Sequence, residues 1–195
     1  PRRPPILWRK IIGPLCSPPI RQPVQCSGGY YGIHCEYNAE GQSTSLTFLD
    51  EDGHAVCISS GYAIKTYQRD ENGTVVGEQY FDTEGNSARS SLGQYGELYQ
   101  CNEQGYIGQI TYLDADGNPA PTNAGYTILK RTYHRDGTAD TDMYFDANGN
   151  PKALSKGQYG IKRSGKVNLL LDRNSNVMLC VDNLLNGFPC MVVVF

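Results

Sequence analysis

Glycine returns every 32 residues in three interleaved series: Gly29, Gly61, Gly93, Gly125 and Gly157; Gly41, Gly73, Gly105 and Gly137; Gly53, Gly85, Gly117 and Gly149. Spacing kept this strictly means one short structural unit copied in tandem without insertions. Such units bury their apolar faces mainly against neighbouring copies. The 195 residues therefore count copies in a stack, where the same length would otherwise suggest one or two globular domains.

In phase, the first four units begin GYYGIHCEYNAEG, GYAIKTYQRDENG, GQYGELYQCNEQG and GYTILKRTYHRDG, and the fifth begins GQYGIKRSGKVNLLLDRNSN. Each complete unit carries two turn signals. The first ends at Gly41, Gly73, Gly105 or Gly137, and the second is DEDG, DTEG, DADG or DANG, ending at Gly53, Gly85, Gly117 or Gly149. Asp and Asn open such turns through side chain to backbone hydrogen bonds, and Gly closes them by accepting positive φ. Extended segments rich in aromatic and β-branched residues flank the first turn, so the unit reads as a β-hairpin followed by a short return segment. The excess of glycine (22) and tyrosine (14) agrees with turns and strands. The fold class expected is all-β: an elongated, solenoid-like stack of about five β-hairpin repeats of 32 residues, alternating in two types.

The alternation is a second period of 64 residues. Copies one and three share Gly32 with Gly96, Tyr31 with Tyr95 and Leu46 with Ile110, whereas copies two and four share Ile64 with Ile128, Glu78 with Asp142 and Phe81 with Phe145. Because one strand position is Leu46 or Ile110 in one type and Glu78 or Asp142 in the other, it is expected to face core and solvent in turn, through a large rotation between neighbours. The expected division is a Pro-rich basic linker or arm at 1–27, the array at 28–187 (28–59, 60–91, 92–123, 124–155 and a degenerate 156–187), and an apolar segment at 188–195. That last segment, FPCMVVVF, reads either as a terminal strand or as the start of a truncated membrane span, eight residues being too few to cross a bilayer. The chain opens at Pro1 without an initiator Met, and a processed protein or a fragment is expected.

Function is written less plainly. A formal charge of −3 gives no broad cationic field to attract phosphate backbones, so nucleic acid is not an expected partner. The seven cysteines share no repeat phase, so no disulfide ladder is encoded. His34, His54 and His134 stand alone, without a companion at metal or triad spacing, and the chain has no phosphate loop or dinucleotide fingerprint, so no catalytic residue and no cofactor is expected. The DxDGN and DxNGN strings resemble half of a calcium loop. Turn chemistry accounts for them, and a calcium reading would rest on Asp50 with Asp52 and Asp114 with Asp116. The recurring aromatic position Phe48, Tyr80, Tyr112 and Tyr144 lies on the face opposite Leu49, Phe81, Leu113 and Phe145, because side chains alternate along a strand. One of these two rows must be core. The other is either buried as well or a ladder of exposed tyrosines suited to sugar rings or quaternary ammonium groups. Tyr80, Tyr112 and Tyr144, with Tyr62 and Tyr126, are therefore the candidate ligand-facing aromatics.

At the core of each unit, YFDTEGN, YLDADGN and YFDANGN, the chain resembles the tandem β-hairpin repeats of bacterial envelope proteins, rich in Tyr-Asp and Gly-Asn pairs. It is more distantly similar to the cell-wall-binding repeats of choline-binding proteins and clostridial toxins. The resemblance implies a bacterial, envelope-associated or extracellular repeat segment attached to a larger protein. It points to a noncatalytic module for binding or spacing, with cell-wall glycan, teichoic acid or another protein as ligand. The alternative is a repeat segment of a truncated, membrane-anchored envelope enzyme such as a wall-polymer transferase.

Overall fold

The computed structural model describes residues 24–181. Within them eleven strands form one antiparallel sheet in which every strand neighbours its predecessor: β1 (Gly32–Tyr37), β2 (Ser43–Leu49), β3 (Ile64–Arg69), β4 (Val75–Phe81), β5 (Gly96–Cys101), β6 (Ile107–Leu113), β7 (Ile128–Tyr133), β8 (Ala139–Phe145), β9 (Gly160–Ser164), β10 (Val167–Leu171) and β11 (Val177–Val181). The described residues are thus an all-β, elongated stack of successive hairpins. Most of the arm read at 1–27 and the whole apolar segment at 188–195, with its membrane-span reading, lie outside the described residues.

The first turn closes each of the first four hairpins in the same way. Asn38 N–H donates to the Gln42 carbonyl at 2.9 Å, Gly41 N–H to the Asn38 carbonyl at 3.1 Å, and the register slips at Glu36/Tyr37. This is a type I turn followed by a left-handed glycine and a bulge. The second turn, Asp50 to Gly53, folds the chain back so that Leu49 bridges to Ala55 and Val56 N–H reaches the Phe48 carbonyl at 2.9 Å. A third turn, unread in the sequence, ends at the remaining glycine series: Gly61 N–H donates to the Ile58 carbonyl at 2.9 Å, and the same bond recurs at Gly29, Gly93, Gly125 and Gly157. These third turns stack on one another through Ser59 to Gly28, Ser91 to Ser60 and Asn123 to Leu92, forming a backbone ladder along one edge of the array.

Neighbouring hairpins are joined by shorter pairing than the hairpins themselves. Between β2 and β3 it comprises Ser45↔Thr66, Leu46↔Lys65 and Thr47↔Ile64. A lone hairpin is marginal in water, so side chains across these joints must supply the rest. In the fifth unit the first turn shrinks to Gly165–Lys166, with Val167 opposite Ser164. Leu170 and Leu171 occupy the aromatic and apolar positions, and β11 takes the place of the return segment.

Registers also fix which side chains share a face. Leu46 lies opposite Lys65, Glu78 opposite Glu97, Ile110 opposite Leu129 and Asp142 opposite Ile161. Following these pairs along the sheet puts Leu46, Glu78, Ile110 and Asp142 all on one face. The rotation expected from the alternation is therefore absent. The acidic members are not turned to solvent: Asp142 is buried and Glu78 nearly so, each held by cations from the same face.

Candidate functional site

The recurring aromatic of the second strand lies inside. Phe48, Tyr80, Tyr112 and Tyr144 are 9%, 4%, 4% and 7% exposed, while Tyr62 and Tyr126 are half-buried beside them. The rings form a spine along the sheet. Tyr30 meets Phe48 at 4.9 Å, Phe48 meets Tyr62 at 6.0 Å, and Tyr62 stacks on Tyr80 at 4.4 Å between centroids; after an interruption, Tyr112 meets Tyr126 at 5.4 Å and Tyr126 meets Tyr144 at 4.7 Å. Buried Gln94, which holds in the third unit the position of Tyr62 and Tyr126, makes the interruption. Burial raises the hydroxyls of Tyr80 and Tyr112, and pushes Tyr144 up to about 12. Tyr80, Tyr112, Tyr144, Tyr62 and Tyr126 are therefore a packing column and not a ligand-facing ladder. The return segments run beside them: Ala88 N–H donates to the Tyr80 carbonyl at 2.9 Å, and Leu154 packs against the cluster of Tyr112, Leu129 and Tyr144.

Two charged clusters interrupt this apolar face. In the first, Lys65 Nζ lies 3.0 Å from Glu78, Tyr80 donates to Glu78 at 2.9 Å, and Glu97, directly across from Glu78, accepts from Gln94 at 2.8 Å and Tyr99 at 3.0 Å. Burial, with the neighbouring Glu78 charge, pushes the Glu97 carboxyl above its ordinary value despite these two hydrogen bonds. In the second cluster Arg131 grips Asp142 through two bonds of 2.6 and 2.9 Å, and Arg163 adds a third at 2.6 Å. Burial alone would raise Asp142, but these hydrogen bonds outweigh it and hold the carboxyl below its usual range. Both clusters bridge neighbouring hairpins and serve the stack, although Arg163 Nη1 is buried without a hydrogen-bond partner among the described residues.

The Asp turns are likewise closed on themselves. Asp114 Oδ1 accepts from the N–H groups of Asp116 at 3.0 Å and Asn118 at 2.8 Å, and Asp50 does the same with Asp52 and His54. Among the described residues no three His, Cys, Asp or Glu side chains are grouped to hold a metal ion. His34, His54 and His134 are exposed and far apart in the fold's register.

Free polar groups gather elsewhere, where the first turns of units three and four meet. A cleft of about 760 Å³ opens there, with Asn102, Gln104, Tyr106, His134 and Arg135 in its walls. Tyr106 lies against Tyr133 with centroids 4.9 Å apart, and its hydroxyl end rests over Gly137, where a Cβ would sit 2.8 Å away. The Tyr133 hydroxyl donates to the Ile107 carbonyl at 2.7 Å and ties β7 to β6. Tyr106 remains 40% exposed, and Arg135 makes no ion pair or side-chain hydrogen bond among the described residues. Asn102, Gln104, Tyr106 and Arg135 carry no recurring signal in the sequence because their positions vary between copies, and His134 has no companion at metal or triad spacing. No protein-family model matches the chain, and no curated protein matches it.

Proposed function

We propose that this chain is a noncatalytic repeat module of the bacterial cell envelope, which binds a wall glycan, a teichoic acid or a protein displayed there and spaces the parts joined to it. The observation that carries the reading is the Tyr106–Tyr133 cleft. An exposed aromatic ring flanked by uncommitted amide and guanidinium groups is the chemistry that recognises sugar rings and their polar substituents. The tyrosines of the spine are spent on packing, and the charged groups of the two clusters are engaged within their own cluster. What remains for a ligand is this rim of the array, held at fixed spacing by a stiff sheet.

Co-sedimentation with purified bacterial sacculi tests the proposal. The full chain is expected in the pellet, and a Tyr106→Ala variant with an unchanged thermal midpoint is expected to shift to the supernatant. Retention of both proteins in the supernatant would remove the envelope reading.

A further inference from the structure

The 64-residue period supplies an internal comparison for the cleft. Adding 64 maps Asn38, Glu40, Gln42, Tyr67, Arg69, Asp70 and Glu71 onto Asn102, Gln104, Tyr106, Arg131, Tyr133, His134 and Arg135. The frame is the same at both places. Arg69 donates to the Ser43 carbonyl at 2.8 Å as Tyr133 donates to the Ile107 carbonyl, and the Gln42 side chain packs over Gly73 as Tyr106 packs over Gly137.

The chemistry differs. In units one and two Gln42 is occupied by Asn38 at 3.0 Å, Arg69 is occupied by the Ser43 and Gly73 carbonyls, and the outward side chains are Glu40, Asp70 and Glu71. In units three and four a tyrosine ring replaces the glutamine, the three acids become Gln104, His134 and Arg135, and the Asn102 amide N–H group has no acceptor among the described residues. One copy of a repeated frame thus carries an aromatic and cationic rim where the other carries an acidic one. Packing gives no reason for the exchange at Glu71 and Arg135, since both side chains are exposed.

We infer that the Tyr106–Tyr133 cleft binds an anionic carbohydrate or polyol unit, with a ring or polyol face on Tyr106 and its carboxylate or phosphate on Arg135. This deepens the cleft reading of the proposed function, on which it rests. Among the described residues lining the cleft Arg135 is the free cation, since the Arg131 guanidinium is held by Asp142. Asn102 and Gln104 supply hydrogen bonds to hydroxyls. His134, 3.5 Å from Asp140, adds positive charge only when protonated.

Calorimetric titration of the full chain with three probes tests it: hexagalacturonate, a poly(glycerol phosphate) oligomer and neutral cellohexaose. At least one anionic probe is expected to bind about tenfold or more tightly than the neutral one, and the tighter of the two identifies whether carboxylate or phosphate is read. Arg135→Glu and Tyr106→Ala, each with an unchanged thermal midpoint, are expected to weaken that binding by about tenfold or more. Glu71→Arg, the same change of sign at the equivalent acidic frame, is expected to leave it unchanged. Equal affinity for all three probes, or indifference to Arg135→Glu, would overturn the inference, as would a gain from Glu71→Arg matching the loss from Arg135→Glu. Sedimentation with sacculi separates the two readings. Binding of the anionic oligomer without sedimentation would retain the cleft's ligand class and remove the envelope. Sedimentation indifferent to Arg135→Glu would do the reverse.

Discussion

Ser175 occupies, in the last turn, the position held by glycine in every earlier copy. Its φ of 67° lies in the left-handed region, where Gly117 has 82°. An L side chain there costs roughly 1–2 kcal/mol, partly offset by the greater entropy that glycine loses on folding. Ser175→Gly is therefore expected to stabilise the chain by about 0.5 kcal/mol, read as a raised midpoint in chemical denaturation. The converse holds at Gly117. A Cβ there would meet nothing within 4 Å, so any penalty comes from backbone conformation and not from a clash. Gly117→Val should destabilise by more than about 1 kcal/mol, and an unchanged unfolding curve would show that the turn does not need its positive φ. The Asp-opened turns were legible because Asp and Asn announce themselves chemically. The third turn was not, because its openers are Cys26, Ile58, Ser90, Thr122 and Leu154, which share no turn chemistry.

At the scale of elements the joints between hairpins decide stability, and two carboxyls pull their pH dependence in opposite directions. Asp142 sits below its ordinary value, so its contribution is present above the usual carboxylate range and is lost as pH falls through the folded-state value. Glu97 sits above its ordinary 4.5, so stability is fullest below that and is lost as pH rises through the folded-state value. Unfolding free energies measured from pH 3 to 8 are thus expected to fall on the acid side in the native chain, and to decline again above about 4.5. Glu97→Gln should flatten the second decline and leave the acid limb in place; an unaltered profile would mean that Glu97 does not titrate as placed. Asp142→Ala removes the partner of two guanidinium groups and should destabilise by about 3 kcal/mol. The sequence displayed the alternation of Leu46 and Ile110 with Glu78 and Asp142, but its meaning depended on partners 11 and 21 residues away from Asp142, on other strands. Acidic residues at an apolar position look solvent-facing from one strand alone, because a buried acid needs a cation that one strand's pattern cannot show. The cleft was hidden for a similar reason, since Tyr106 acquires its setting only when the turn at Gly137 folds beneath it.

For the molecule as a whole, the unit of assembly follows from these joints and is two hairpins, not one. In a stack of nearest-neighbour contacts, a deletion is tolerated when it recreates a joint that already exists elsewhere in the array. Removing residues 61–124 would bring β2 against β7, so that Leu46 faces Leu129, as Ile110 does in the native joint. The spine would run Tyr30, Phe48, Tyr126, Tyr144 without interruption, because Tyr126 holds the position of Tyr62. Removing only residues 61–92 would bring β2 against β5, placing Leu46 opposite Glu97 and Gln94 next to Phe48 in the column. Glu97 would then be buried against an apolar neighbour, the Lys65–Glu78 pair and the Tyr80 hydroxyl beside it having left the face together, and its desolvation costs about 1–3 kcal/mol or a proton taken up to avoid it. The longer deletion is therefore expected to unfold in one cooperative transition near the temperature of the full chain, and the shorter one several degrees lower and with a stability that improves on acidification towards pH 4.5. Identical behaviour of the two deletions would show that the joints are interchangeable and that the 64-residue period carries no packing information.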